Sequence, residues 1–153
     1  MTTTTRPPLR RTADPPDNQA FGLPRWFQVD GAETEGAFCS WIEEVPPGAG
    51  PPLHVHHRET EVFTLLSGRL RFQLQDEQLE AEAGDNILIP RGLPHTFHNH
   101  TNSPTRVLVC LTPGGGDGFF RDVEAEGLGP DDMPRIEEIA SQYGLEFVGP
   151  PMS

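Results

Sequence analysis

"GAGPPLHVHHRETEVFTLLSG", residues 48–68, places three histidines and two glutamates between a glycine-rich turn and an alternating apolar run. The remaining three of the six histidines, His95, His98 and His100, fall together in "GDNILIPRGLPHTFHNH", residues 84–100. Neutral imidazole and carboxylate are the common ligands of zinc and other first-row metals, so two separated clusters raise the question of a shared site.

Strand geometry sorts these residues. His54 and His56 are two apart, so on a strand both point to one face. Glu61 has the opposite parity on a continuous strand, but the polar run His57-Arg58-Glu59-Thr60 supplies a turn that restores it. Glu61, Phe63 and Leu65 then share the inner face. In the second cluster His95, Phe97 and Asn99 share one parity, and His98 shares the other with Thr96 and His100. The turn Pro90-Arg91-Gly92-Leu93-Pro94 is rigid and fixes where His95 emerges. The expected metal ligands are therefore His54, His56, Glu61 and His95, with His57, His98 and His100 turned away. Glu59 is a competitor that lies off the pattern. Three histidines and one glutamate leave room on an ion for water, substrate or dioxygen, which marks a catalytic site and not a closed structural one. One divalent ion per chain is expected, from among Fe, Mn, Ni, Zn, Co and Cu.

Working outward, residues 36–112 are short alternating runs punctuated by Gly, Pro and Asp, the pattern of an antiparallel sandwich or barrel. Strands are expected near 36–45, 53–57, 61–66, 69–75, 79–83, 86–89, 95–99 and 105–112, with Ser67-Gly68 as a tight hairpin turn. In "RLRFQL" Leu70, Phe72 and Leu74 face a core and Arg69, Arg71 and Gln73 face water. One helix is expected, at about 134–143, where Ile136, Ile139, Ala140 and Tyr143 recur at helical spacing. Residues 1–18 are Thr-, Pro- and charge-rich and are expected to be a disordered tail. "AFGLPRWFQV", broken by Pro24, reads as an arm lying on a sheet or a partner subunit. Residues 19–153 are expected to form a single all-β domain.

The chain has 153 residues, long enough to bury a core without disulfides. Cys39 and Cys110 read as buried free thiols. Eleven basic against 23 acidic residues give a formal charge of −12, which argues against nucleic acid. All eleven basic residues are arginine, so lysine Schiff-base chemistry is excluded. No apolar run reaches the length of a signal peptide or a membrane span, and a cytoplasmic location is the expectation.

At the histidine clusters the chain resembles the cupins. That family's first motif is glycine, five residues, His-x-His, three or four residues, glutamate, six residues, glycine; Gly48, His54, His56, Glu61 and Gly68 fit it. Its second is glycine, five residues, Pro-x-Gly, two residues, histidine, three residues, asparagine; Gly84, Pro90, Gly92, His95 and Asn99 fit that too. The resemblance implies a cupin-type jelly-roll β-barrel with the metal inside, flanked here by an N-terminal arm and a short C-terminal helix. "PGGGDGFF" and "LEFVGPP" look similar to single-domain bacterial cupins of the quercetin-dioxygenase-like group.

The expected activity is that of a metal-dependent dioxygenase acting on a hydroxylated aromatic or enolic small molecule, with Glu61 as the base taking the substrate's proton. A non-oxidative isomerase or polyketide cyclase is the first alternative, and a small-ligand binding or sensing cupin the second. No arginine falls on the inward parity of the expected strands, so the substrate pocket should be apolar, built from Phe63, Leu65, Phe72 and Phe97 among residues that otherwise make barrel core. Cupins resemble one another in pairing as dimers, and a homodimer is expected.

Overall fold

The computed structural model describes residues 6–153. Its strands are β1 (Arg25–Val29), β2 (Cys39–Val45), β3 (Pro52–His56), β4 (Thr60–Ser67), β5 (Arg69–Leu74), β6 (Glu77–Glu82), β7 (Asn86–Ile89), β8 (His95–His98), β9 (Thr105–Thr112) and β10 (Leu145–Pro151). Two helices, α1 (Asp117–Ala125) and α2 (Met133–Gln142), lie between β9 and β10. The strands form two five-stranded antiparallel sheets, ordered β1-β2-β9-β4-β7 and β10-β3-β8-β5-β6. This is the jelly-roll barrel: inward residues of each sheet meet those of the other, and the core sits between them.

Period-two alternation builds that core. Glu61, Phe63 and Leu65 are the buried residues of β4, and Val107, Val109 and Leu111 those facing them on β9. Phe63, Phe72 and Phe97 meet as a cluster of inclined rings, their centroids 5.3 to 5.8 Å apart. A second apolar cluster lies beside the barrel, where Phe119 and Val123 of α1 pack on Ile136, Ile139 and Ala140 of α2. Cys39 and Cys110 are free thiols. Among the described residues no helix is long and apolar enough to cross a membrane.

Four expectations change. Ser67-Gly68 does not close a hairpin, because β4 and β5 belong to different sheets; it hands the chain from one sheet to the other. Gly68 has φ +78°, and a Cβ there would come within 2.3 Å of Thr105 Oγ1. That hydroxyl accepts from the Arg69 amide and donates to the Arg69 carbonyl, pinning the crossing. The N-terminal arm becomes strand β1 where it reaches Arg25, pairing along the edge of β2. Helix α1 and strand β10 were not expected at all.

The fourth change concerns the tail. Residues 1–5 lie outside the described residues, but residues 6–18, expected to be disordered, are laid against β1. Arg6 pairs with Asp30 at 2.6 Å, Arg10 pairs with Glu33, and the Asp14 carbonyl accepts from Trp26 Nε1. Asp17 accepts from the Phe27 amide, and Asn18 is buried. Charge and backbone hydrogen bonds, to which an apolar count is blind, hold this segment.

Candidate metal centre

His54 on β3 and His95 on β8 are register partners on adjacent strands, and His56 lies two residues beyond His54. Glu61, on β4, approaches from the opposite sheet. Inward alternation in both sheets thus aims three imidazoles and one carboxylate at a common point, with one donor atom from each within 4.8 Å of the others. His95 Nε2 lies 2.9 Å from Glu61 Oε1, and His56 Nε2 lies 3.6 Å from the same oxygen. His95 is fully buried, Glu61 and His54 nearly so.

The outer edge of each ring is occupied. His54 Nδ1 donates to the Pro52 carbonyl and His95 Nδ1 to the Leu93 carbonyl, both at 2.8 Å. These bonds fix the tautomer and leave the Nε2 lone pairs pointing inward. His56 Nδ1 faces Glu59 Oε2 at 3.5 Å. Glu59, a rival ligand from sequence, is buried behind His56 instead, facing the outer edge of that ring and outside the donor set. Three inward Nε2 atoms and a carboxylate, with two of the three outer edges hydrogen-bonded and the third facing a carboxylate, fit a divalent first-row ion.

Electrostatics prepares the same set. Burial, helped by the neighbouring His95 and His56, holds His54 down at about 3, so it is neutral at physiological pH. Burial acts to raise the Glu61 carboxyl, but the neighbouring His56 and His95 outweigh it and bring it to about 2. Burial likewise acts to lower His56, and Glu61 and Glu59 together overcome it, leaving that ring raised. A neutral His54 and an ionised Glu61 are the forms that coordinate metal.

A cavity of about 440 Å³ opens beside these donors, with His54, His56 and Glu61 in its wall. Of the four expected pocket residues, Phe63 and Phe97 line it; Leu65 and Phe72 do not and are packed into the core. Parity says which face a residue takes, not how deep in the barrel it sits. Much of the remaining wall comes from Phe119, Phe120, Phe147 and Met152 on the segments sequence reading left unassigned. His57 pairs with Glu146 at the surface; His98 pairs with His100 and, against expectation, lines the cavity while lying outside the donor set. Asn99 donates to the Val45 and Ser103 carbonyls, a structural role.

The expectation of a wall without arginine is overturned. Arg25, on the unforeseen strand β1, lines the cavity with its register partner Glu43, and Arg25 Nε lies 2.8 Å from Glu43 Oε1. A signal for half of this pair was visible: in β2, Glu43 alternates with Cys39, Trp41 and Val45, an acid on an otherwise apolar inward face.

Residues 41–111 match the Cupin domain model. Among curated proteins the chain is 38% identical over 69 residues to an uncharacterized protein of Methanocaldococcus jannaschii, covering 45% of this chain and 55% of that one. It is 27% identical over 88 residues to quercetin 2,3-dioxygenase of Bacillus subtilis, covering 58% of this chain and 26% of the enzyme. The chain thus spans about half or less of the length of these relatives. Among solved structures, a predicted oxalate decarboxylase of Thermotoga maritima superposes with a TM-score of 0.61 at 20% identity, over 69% of this chain and 98% of that one, which is a likeness of fold. Both histidine motifs and the four converging donors lie within the segment that matches the Cupin domain, and the two facing sheets share the fold of cupin-like structures.

Proposed function

We propose that this protein is a metal-dependent cupin dioxygenase acting on a hydroxylated aromatic or enolic small molecule. The observation that carries the reading is the junction of a three-histidine, one-glutamate donor set with an apolar, aromatic cavity of about 440 Å³. That volume suits a small aromatic molecule. The similarity to quercetin 2,3-dioxygenase supports the same class. When bound, a divalent ion supplies Lewis acidity to a substrate oxygen and a place for dioxygen beside it.

The chain's own residues do the rest. Glu61, ionised and at the edge of the cavity, accepts the proton of the substrate hydroxyl. His95, with Nε2 2.9 Å from Glu61 Oε1, would share the ion with that carboxylate and so hold it in place. Phe63, Phe97 and Phe120 give a planar ligand an apolar wall and exclude water from the reacting oxygen. The test is oxygen uptake by the metal-loaded protein across flavonols, catechols and enediols. Uptake confined to one class and lost in Glu61→Gln supports the proposal. Full metal occupancy without uptake by any class contradicts it and favours an isomerase or cyclase using the same four ligands.

A further inference from the structure

Apart from the metal donors and His98, three polar side chains interrupt the aromatic wall of the cavity: Arg25, Trp41 and Glu43. All three are at least nine-tenths buried. Arg25 Nη1 donates to the carbonyls of Ala20 and Leu23, and its guanidinium stacks 3.9 Å over Phe120, so the side chain is fixed. Its Nε, although 2.8 Å from Glu43 Oε1, has no well-aligned acceptor, and neither has the indole N–H of Trp41. A buried ion pair in an apolar wall is a weak source of stability, since desolvation offsets most of its attraction. Buried donors left unaligned cost more still. The bonds of Arg25 tie the N-terminal arm to β1, which accounts for the arginine but not for an indole N–H left without an acceptor in the wall.

We propose that Glu43, backed by Arg25 and Trp41, is a second recognition point in the cavity, separate from the metal donors, and that it reads a hydroxyl group on an otherwise apolar ligand. The inference rests on the reading of this cavity as a substrate pocket and narrows the substrate to one carrying a second hydroxyl remote from the reacting oxygen. The chemistry of the three groups selects that function. A carboxylate on the ligand is repelled by Glu43 and Glu61 together. A ketone offers Glu43 no proton, and an ammonium offers the indole N–H no lone pair. A hydroxyl does both at once, donating to Glu43 and accepting from the donors around it. Glu43 stands on β2, two strands away from Glu61 in the same sheet, so the two ends of a ligand are read by different residues.

The test is equilibrium dialysis of the full chain with 2-naphthol and its methyl ether 2-methoxynaphthalene, which keeps the shape and loses the donor. It is run on protein as purified, with metal content recorded, and again after chelation. One hydrogen bond to a charged group predicts about a tenfold preference for the naphthol. That preference should persist after chelation and fall to within about twofold in Glu43→Leu. Because Glu43→Leu strands a buried arginine, the charge-balanced double variant Arg25→Leu/Glu43→Leu accompanies it; apolar replacement of a whole buried pair is generally tolerated. The proposal is overturned by a preference that survives in the double variant, by one lost on chelation, or by no preference or no binding of either probe below about 1 mM in the unaltered chain. Absence of metal from the purified protein would count against the oxygenase reading and leave this result standing.

Discussion

Glu59→Gln separates a residue that binds the ion from one that orients a ligand. Glu59 is buried, with Oε2 3.5 Å from His56 Nδ1 and no well-aligned hydrogen bond of its own. A carboxylate in that position increases the electron density on His56 Nε2, the atom facing the site, and an amide of the same shape does not. Second-row partners of this kind are worth about 10- to 100-fold in metal affinity. The 3.5 Å contact is long for a hydrogen bond, so the lower end applies: about tenfold, or about 1.4 kcal/mol. The assay is zinc titration against a chromophoric competitor at about pH 8, above the range where imidazoles ordinarily titrate. At about pH 6 the loss should shrink, because removing Glu59 lowers the raised His56 and its proton then competes less with the ion. Stoichiometry should stay at one ion per chain. Complete loss of binding would mean that Glu59 is itself a ligand, and unchanged affinity at both pH values would mean that it does not act on His56; either result refutes the reasoning.

Two further perturbations follow from the same geometry. In the metal-free chain His54 is depressed from 6.5 to about 3, so the unfolded state takes up a proton below 6.5 that the folded state refuses; Glu61, lowered from 4.5 to about 2, loses its contribution as pH falls through that lower window. The raised His56 opposes this in part, and the urea midpoint of the metal-stripped protein should fall from about pH 7 to about pH 4, with a smaller fall in His54→Gln; a flat or rising midpoint contradicts the cluster's electrostatics. Gly68→Ala should cost about 3 kcal/mol by urea denaturation, from the positive φ and from loss of the two Thr105 hydrogen bonds to Arg69, and a loss under about 1 kcal/mol would show that the sheet crossing yields.

The residues that align the donors were the legible part of this chain. His54 and His56 two apart, Glu61 after a polar turn, and His95 after a proline-braced loop follow from period-two geometry, which depends on the residues alone. What stayed hidden depends on partners distant in sequence. β1 is five residues long beside Pro24, and β10 holds Gly149, Pro150 and Pro151, tolerated because both are edge strands that need pair on one side only. In α1 the i, i+4 pair Phe119 and Val123 was present but sat behind three glycines that read as loop. The sheet crossing at Gly68 was invisible because a glycine turn looks the same whether the chain returns to its own sheet or leaves it. With β1 and α1 unseen, Arg25 and the aromatic wall of the cavity were unseen as well.

His54, His56 and His95, completed by Glu61, are expected to hold one metal ion inside the barrel. Metal analysis of the purified chain and its variants tests it directly. The unaltered protein should carry about one divalent ion per chain. His54→Ala, His56→Ala and His95→Ala should each empty the site, and Glu61→Gln should keep a substantial part of the metal, because an amide oxygen still coordinates weakly. His57→Ala, His98→Ala and His100→Ala, altered outside the donor set, should match the unaltered protein. Metal retained in His95→Ala and lost in His98→Ala would contradict the account, since it would put the opposite face of β8 toward the ion.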